Sequence, residues 1–62
     1  MKVRELVKRL KADGWYEARI RGSHRVFKHP NKPGIVVVPG NFGDDVAIGT
    51  LKSICKQAQL ED

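Results

Sequence analysis

Cysteine occurs once in the 62 residues, at Cys55, so no internal disulfide can form and a reducing cytoplasm is the expected compartment. No stretch has the length and apolarity of a membrane span or the pattern of a signal peptide, which removes bilayer insertion from the expected functions. Histidine occurs twice. His24 and His29, even with Cys55 added, lack the paired short spacings of structural zinc sites, and the three cannot fill a tetrahedral shell without a carboxylate. Neither a metal nor another cofactor is expected. Linkers, repeats and low-complexity segments are also missing, so residues 1–62 read as one domain. A chain this short buries only about 60% of its unfolded surface. A deep cavity is therefore not expected, and any site should be a shallow patch that a large substrate can reach.

Acidic residues are in short supply as well. Twelve Lys and Arg stand against seven Asp and Glu, a net charge of +5. The imbalance is concentrated: residues 1–34 hold ten basic and three acidic side chains, a net +7, while residues 35–62 hold two basic and four acidic, a net −2. Such a field points to a polyanion, most often nucleic acid, because each neutralised phosphate releases counterions and adds sequence-independent affinity. The plainer alternative is a solvated basic face that serves solubility.

What is present is patterned. Val3, Leu6, Val7 and Leu10 recur at i, i+3, i+4 and i+7, which predicts an amphipathic helix over residues 2–12, closed by Asp13 and a left-handed Gly14. No good capping residue precedes it, so Met1 and Lys2 are expected to fray. Residues 15–20 read as a strand, Gly22 and Ser23 as a turn, and residues 24–28 as a second strand. On that strand His24, Val26 and Lys28 share one face and Arg25, Phe27 and His29 the other, and the pattern leaves open which is buried. Residues 30–34 form a turn and residues 35–38 a short third strand. In the loop of residues 40–45, Asp44 or Asp45 is a candidate cap for a second helix from about Ile48, whose apolar positions are Leu51, Ile54, Cys55 and Ala58. Cys55 and Trp15 are expected in the core. The order is α-β-β-β-α, an α+β fold. Neither helix can bury its stripe alone, so both must cover one face of a three-stranded antiparallel sheet and leave the other open. This is the double-stranded-RNA-binding-domain architecture.

The segment from Arg21 to Phe27 carries the chemistry. It sets an ionisable imidazole just after a glycine turn and among arginines, the natural partners of phosphate. RNA brings its own nucleophile, the ribose 2′-hydroxyl, so one base suffices to drive attack on the adjacent phosphate and leave a cyclic phosphate and a 5′-hydroxyl. His24 is the candidate base, since an imidazole with an ordinary value of about 6.5 suits proton transfer near neutral pH. Arg19, Arg21, Arg25 and Lys28 are candidates for holding the phosphodiester, Ser23 for orienting it, and Gly22 for the turn. Lys28 and water are equal candidates for the general acid. His29, before Pro30, reads as structural unless the sheet twist brings it to the phosphate.

The chain also resembles the HicA family of toxin ribonucleases. The similar features run in order: the helical start, Gly14 and Trp15, then Gly22, Ser23, His24 and Phe27, then His29 and Pro30, then Val38 and Pro39. Gly49, Thr50, Leu51, Ile54, Lys56, Gln57 and Ala58 complete the pattern. The resemblance spans nearly the whole chain and matches His24 to the family's catalytic histidine. It implies the same α-β-β-β-α fold, metal-independent cleavage of mRNA, translational shutdown and growth arrest. It further implies a HicB-like antitoxin as partner, with operator DNA bound only as part of the antitoxin complex. Two positions depart: Gly40 and Asn41 stand where many members carry a histidine, and Gln59 replaces a frequent glycine. The alternative function is a non-catalytic RNA-binding module of the same fold, and a third is a degenerate toxin or adaptor that only binds its partner.

Overall fold

The computed structural model describes residues 1–60; Glu61 and Asp62 lie outside the described residues. The order is helix α1 (Val3–Ala12), strands β1 (Tyr16–Arg21), β2 (His24–Lys28) and β3 (Val36–Val38), and helix α2 (Ile48–Gln57). The strands form an antiparallel meander in the order β1-β2-β3. This is the α+β, double-stranded-RNA-binding type of fold.

The apolar stripe of α1 goes entirely into the core: Val3, Leu6, Val7 and Leu10 are all buried. They meet Trp15, Phe27, Val36 and Val38, with Ile54 and Ala58 closing the cluster from α2. Phe27 settles the face of β2. It is fully buried, so Arg25, two residues back, also points to the helix side, and His24, Val26 and Lys28 face outward. Phe27 pairs with Val36 and Arg25 with Val38, which puts both buried valines of β3 on the same inner face. The helices cover β2 and β3 but not β1, all six residues of which remain exposed. Cys55 is only half-buried and lines a groove with Ile48, Leu51 and Leu60, because α2 turns that part of its stripe away from the sheet.

Two expectations about helix starts are overturned. Met1 and Lys2 are tied down instead of fraying: the Val3 and Arg4 amides donate to the carbonyls of Asp44 and Phe42, and the Val46 amide donates to Met1. The free N–H groups of α1 thus find acceptors in a distant loop in place of a local side-chain cap. Asp44 and Asp45 do not cap α2. The Asp44 carboxylate accepts from the Asn41 amide, Asp45 pairs with Lys2 at 3.1 Å, and the capping position belongs to Ala47, which offers no side-chain acceptor.

Both helices end in the same way. After α1, the Gly14 amide donates to Lys11 and the Trp15 amide to Leu10; after α2, the Gln59 amide donates to Lys56 and the Leu60 amide to Cys55. These are Schellman turns, which need a left-handed residue just past the cap. Gly14 supplies it with φ 105°, and a side chain there would put its Cβ 2.6 Å from His29 Nε2. At the second turn the left-handed residue is Gln59, with φ 53°. Its Cβ crowds the following carbonyl, a conformation that costs roughly 1–2 kcal/mol in a non-glycine residue.

A knot of polar contacts joins the two helix ends to the turn after β2. His29 Nε2 lies 2.7 Å from the Asp13 carbonyl, and its Nδ1 accepts from the amides of Asn31 (3.0 Å) and Lys32 (3.2 Å). Since Nδ1 accepts, Nε2 carries the proton and donates. The ring also meets Trp15 edge to face, with centroids 5.2 Å apart. Lys32 places its ammonium on the Asp13 carboxylate and on the carbonyls of Ala58 (3.2 Å) and Gln59 (3.1 Å), so all three of its donors are used.

Replacing Gln59 with glycine relieves the left-handed strain without touching the carbonyl that Lys32 binds. Gln59→Gly is expected to stabilise the fold by about 1 kcal/mol and raise Tm by about 4–8 °C, read by thermal denaturation. The Lys32 hydrogen bond holds the Asp13 carboxyl below its ordinary value of 3.8, outweighing the partial desolvation that opposes it. A depressed folded-state value means stability that is present above the unfolded value and lost as pH falls through the folded one. The stability gap between wild type and Asp13→Asn is therefore full above about pH 5 and closes below pH 4, checked by urea melts across that range.

Candidate functional site

The turn between β1 and β2 fixes the site. Arg21 pairs with His24 across a two-residue connection, Gly22 has φ 59°, and Ser23 is not in the left-handed region. That is the II′ pattern, which asks for glycine at its first central position and matches the natural twist of a hairpin. His24 therefore opens β2 at the exposed end of the hairpin, with Ser23 half-buried beside it.

The open face gathers most of the predicted phosphate-binding residues. Directly paired residues share a face, so Arg21 lies beside His24, with Cβ atoms about 4.5–5.5 Å apart, and Arg19 lies beside Val26. Ala18 is the extra residue where the register shifts between Glu17 and Arg19, and this bulge puts Arg19 and Arg21 both outward. Lys28, on the same strand face as His24, completes the set. Among the described residues none of Arg19, Arg21 and Lys28 is held in an ion pair, and His24 has no hydrogen-bond partner. Arg19 and Lys28 flank a shallow hollow of about 350 Å³ over Val26 and Ile35.

Arg25 is not among them. It faces the helices, pairs with Glu17 at 3.3 Å, donates to the Gly40 carbonyl at 3.1 Å and stacks on Phe42, 4.1 Å from the ring centroid. Alternation along β2 sends it inward with Phe27, and the loop after Pro39 closes over it. That loop serves as the seat of the half-buried guanidinium.

The remaining questions about proton carriers also have geometric answers. Both nitrogens of His29 are occupied by backbone groups on the far side of the domain from the hairpin turn. Lys28 sits four residues from His24, about 13 Å along the strand, too far to reach an atom that His24 touches. His24 is thus the one free imidazole, with Arg21 as its nearest cation.

A cleft of about 480 Å³ adjoins His24, walled on one side by the end of the sheet and on the other by α2. Thr50, Ser53 and Gln57 reach it from α2, and none of them was singled out for chemistry from the sequence. Their spacing of three and four residues puts them on one helix face, a polar stripe that is visible in the sequence once the helix bounds are known. Among the described residues no three His, Cys, Asp or Glu side chains converge as metal ligands would. No helix of the described residues is long and apolar enough to cross a membrane.

A small two-layer domain with one bare, cationic sheet face and a single free histidine belongs to a recognisable class. Over residues 3–60 the sequence matches the family model of the HicA toxin of bacterial toxin–antitoxin systems. The chain belongs to this family, and so is the toxin member of a pair whose other half is an antitoxin. No curated protein matches it.

The two histidines separate by role, and so do inward Arg25 and outward Arg21. His29→Ala and Arg25→Ala are each expected to lower stability by about 1–3 kcal/mol, because they strip partners from several polar groups at once. His24→Ala and Arg21→Ala should stay within about 0.5 kcal/mol of wild type in the same denaturant titrations.

Proposed function

We propose that the protein is an endoribonuclease toxin that cleaves mRNA at the open face, with His24 as general base. The observation that carries this reading is the sorting of the basic residues: Arg25 and Lys32 are consumed inside the fold, while His24, Arg19, Arg21 and Lys28 share one exposed face without partners of their own. A folded domain keeps uncompensated like charges together at a cost, which a bound polyanion offsets.

In this mechanism the RNA strand lies along β2, its phosphates held by Arg19, Arg21 and Lys28 and its reacting linkage next to His24. The imidazole accepts the 2′-hydroxyl proton as the oxygen attacks phosphorus. Arg21 stabilises the charge that builds on the phosphoryl oxygens. The bond to the 5′-oxygen breaks, giving a cyclic phosphate and a 5′-hydroxyl. With His29 bound to backbone and Lys28 remote, water is the proton donor to the leaving oxygen. Ser23, half-buried in the turn, positions the imidazole or the phosphate. No metal takes part in any step. Such cleavage in the cytoplasm arrests translation and growth, and a HicB-like antitoxin restrains it, with operator DNA contacted only through the complex.

Incubating a defined transcript with purified protein in the presence of a chelator should yield cyclic-phosphate ends, and His24→Ala should slow their formation by about 10²-fold or more. Wild-type protein that retards the RNA without cutting it would identify a binding module in place of a nuclease. Cleavage by His24→Ala at the wild-type rate would remove His24 from the mechanism.

A further inference from the structure

The cleft beside His24, where the end of the sheet meets α2, differs in chemistry from the open face. Along the strands that face is cationic; apart from His24 itself, the side chains that line the cleft are uncharged. Val37, Pro39 and Ile54 make an apolar floor, and Thr50, Ser53 and Gln57 present hydroxyl and carboxamide groups from one side. Its volume of about 480 Å³ lies within the range of small-ligand sites. Gln57 Nε2 lies 3.4 Å from Ser53 Oγ, a weak contact that orients the carboxamide and leaves its oxygen and second N–H free.

A phosphate would find no cation on the α2 wall, and a purely apolar ligand would strand three polar side chains. A nucleobase satisfies both surfaces: its flat faces are apolar, and its edge carries donors and acceptors side by side. We infer that this cleft is a subsite for one unpaired base next to the cleaved phosphate, with Gln57 reading the base edge and Ser53 and Thr50 assisting. The carboxamide sets a donor beside an acceptor, the arrangement with which Asn and Gln recognise base edges. A paired base has its edge covered and its face stacked, so the subsite selects single-stranded RNA, the usual target of sequence-specific recognition. Gln57 is then a specificity-determining residue, distinct from the cations that hold the backbone.

This inference rests on the reading of His24 as the place of cleavage, and the experiment separates the two. Cleavage ends are mapped for wild type, Gln57→Leu and Ser53→Ala on a single-stranded transcript with a randomised segment. In parallel, the His24→Ala protein, with and without Gln57→Leu, is titrated with oligonucleotides that carry each of the four bases, or an abasic site, at the position beside the cleavage point. We expect wild type to favour one base there by about tenfold. Gln57→Leu should reduce that preference to within about threefold by slowing cleavage at the favoured base more than at the other three, and Ser53→Ala should weaken it partially. His24→Ala should bind the abasic oligonucleotide about tenfold more weakly than the preferred one, and adding Gln57→Leu should even out binding of the four bases while each still binds more tightly than the abasic site. Equal use of all four bases by wild type, or a Gln57→Leu variant slowed uniformly at every site, overturns the subsite and leaves the nuclease standing. If wild type cuts nothing while His24→Ala still distinguishes base from abasic site, the nuclease reading fails and the base subsite survives.

Discussion

The fold depends on a single saturated imidazole. His29 donates to the Asp13 carbonyl, accepts two amides from the turn that follows β2, and lays its ring against the edge of buried Trp15. These contacts hold the end of α1 to the end of β2. Lys32, whose own amide is one of those donors, carries the connection on to the carbonyls of Ala58 and Gln59 at the end of α2. Three chain segments far apart in sequence meet there, and in a 62-residue protein with a small core these polar contacts add to what burial supplies. Gly14 belongs to the same unit, since any side chain at that position would strike the ring.

That knot frees the opposite end of the domain for chemistry. The contacts of His29 and Lys32 keep the helix ends together on one side, so the β1–β2 hairpin can project its turn, with Arg21 and His24 paired across it, into solvent. The two histidines look alike in a list of residues and do opposite work. One has every nitrogen engaged by backbone; the other has neither. Arg25 and Arg21 divide in the same way: the first is packed on Phe42 and paired with Glu17, the second stands beside His24 without an acidic neighbour.

The family pattern resolves into two physical groups on this basis. Gly14, Trp15, His29 and Pro30 cluster around the structural knot. His24, Pro39, Gly49, Thr50, Ile54 and Gln57 line the cleft between the sheet and α2, and Gly22 and Ser23 form the turn that leads into His24. Gln59 keeps the left-handed turn although it is not glycine, because its amide and the next one close the helix and Lys32 grips its carbonyl. The backbone contacts fix the conformation there, and the side chain bears the strain.

The sequence alone determined the order of elements, the stripe of α1, the turn at Gly22 and Ser23, and His24 as the candidate base, because each follows from local periodicity or from a residue's own chemistry. Alternation narrowed β2 to two faces and could go no further, since Val26 and Phe27 are both apolar. Only the tertiary structure chose between them, by burying Phe27, and with that choice it sent Arg25 inward and His24 and Lys28 outward. It also decided the helix caps, the engagement of His29 and the presence of Thr50, Ser53 and Gln57 beside His24. Most of these depend on groups more than a dozen residues apart meeting in space, and no periodicity along the chain records such a meeting.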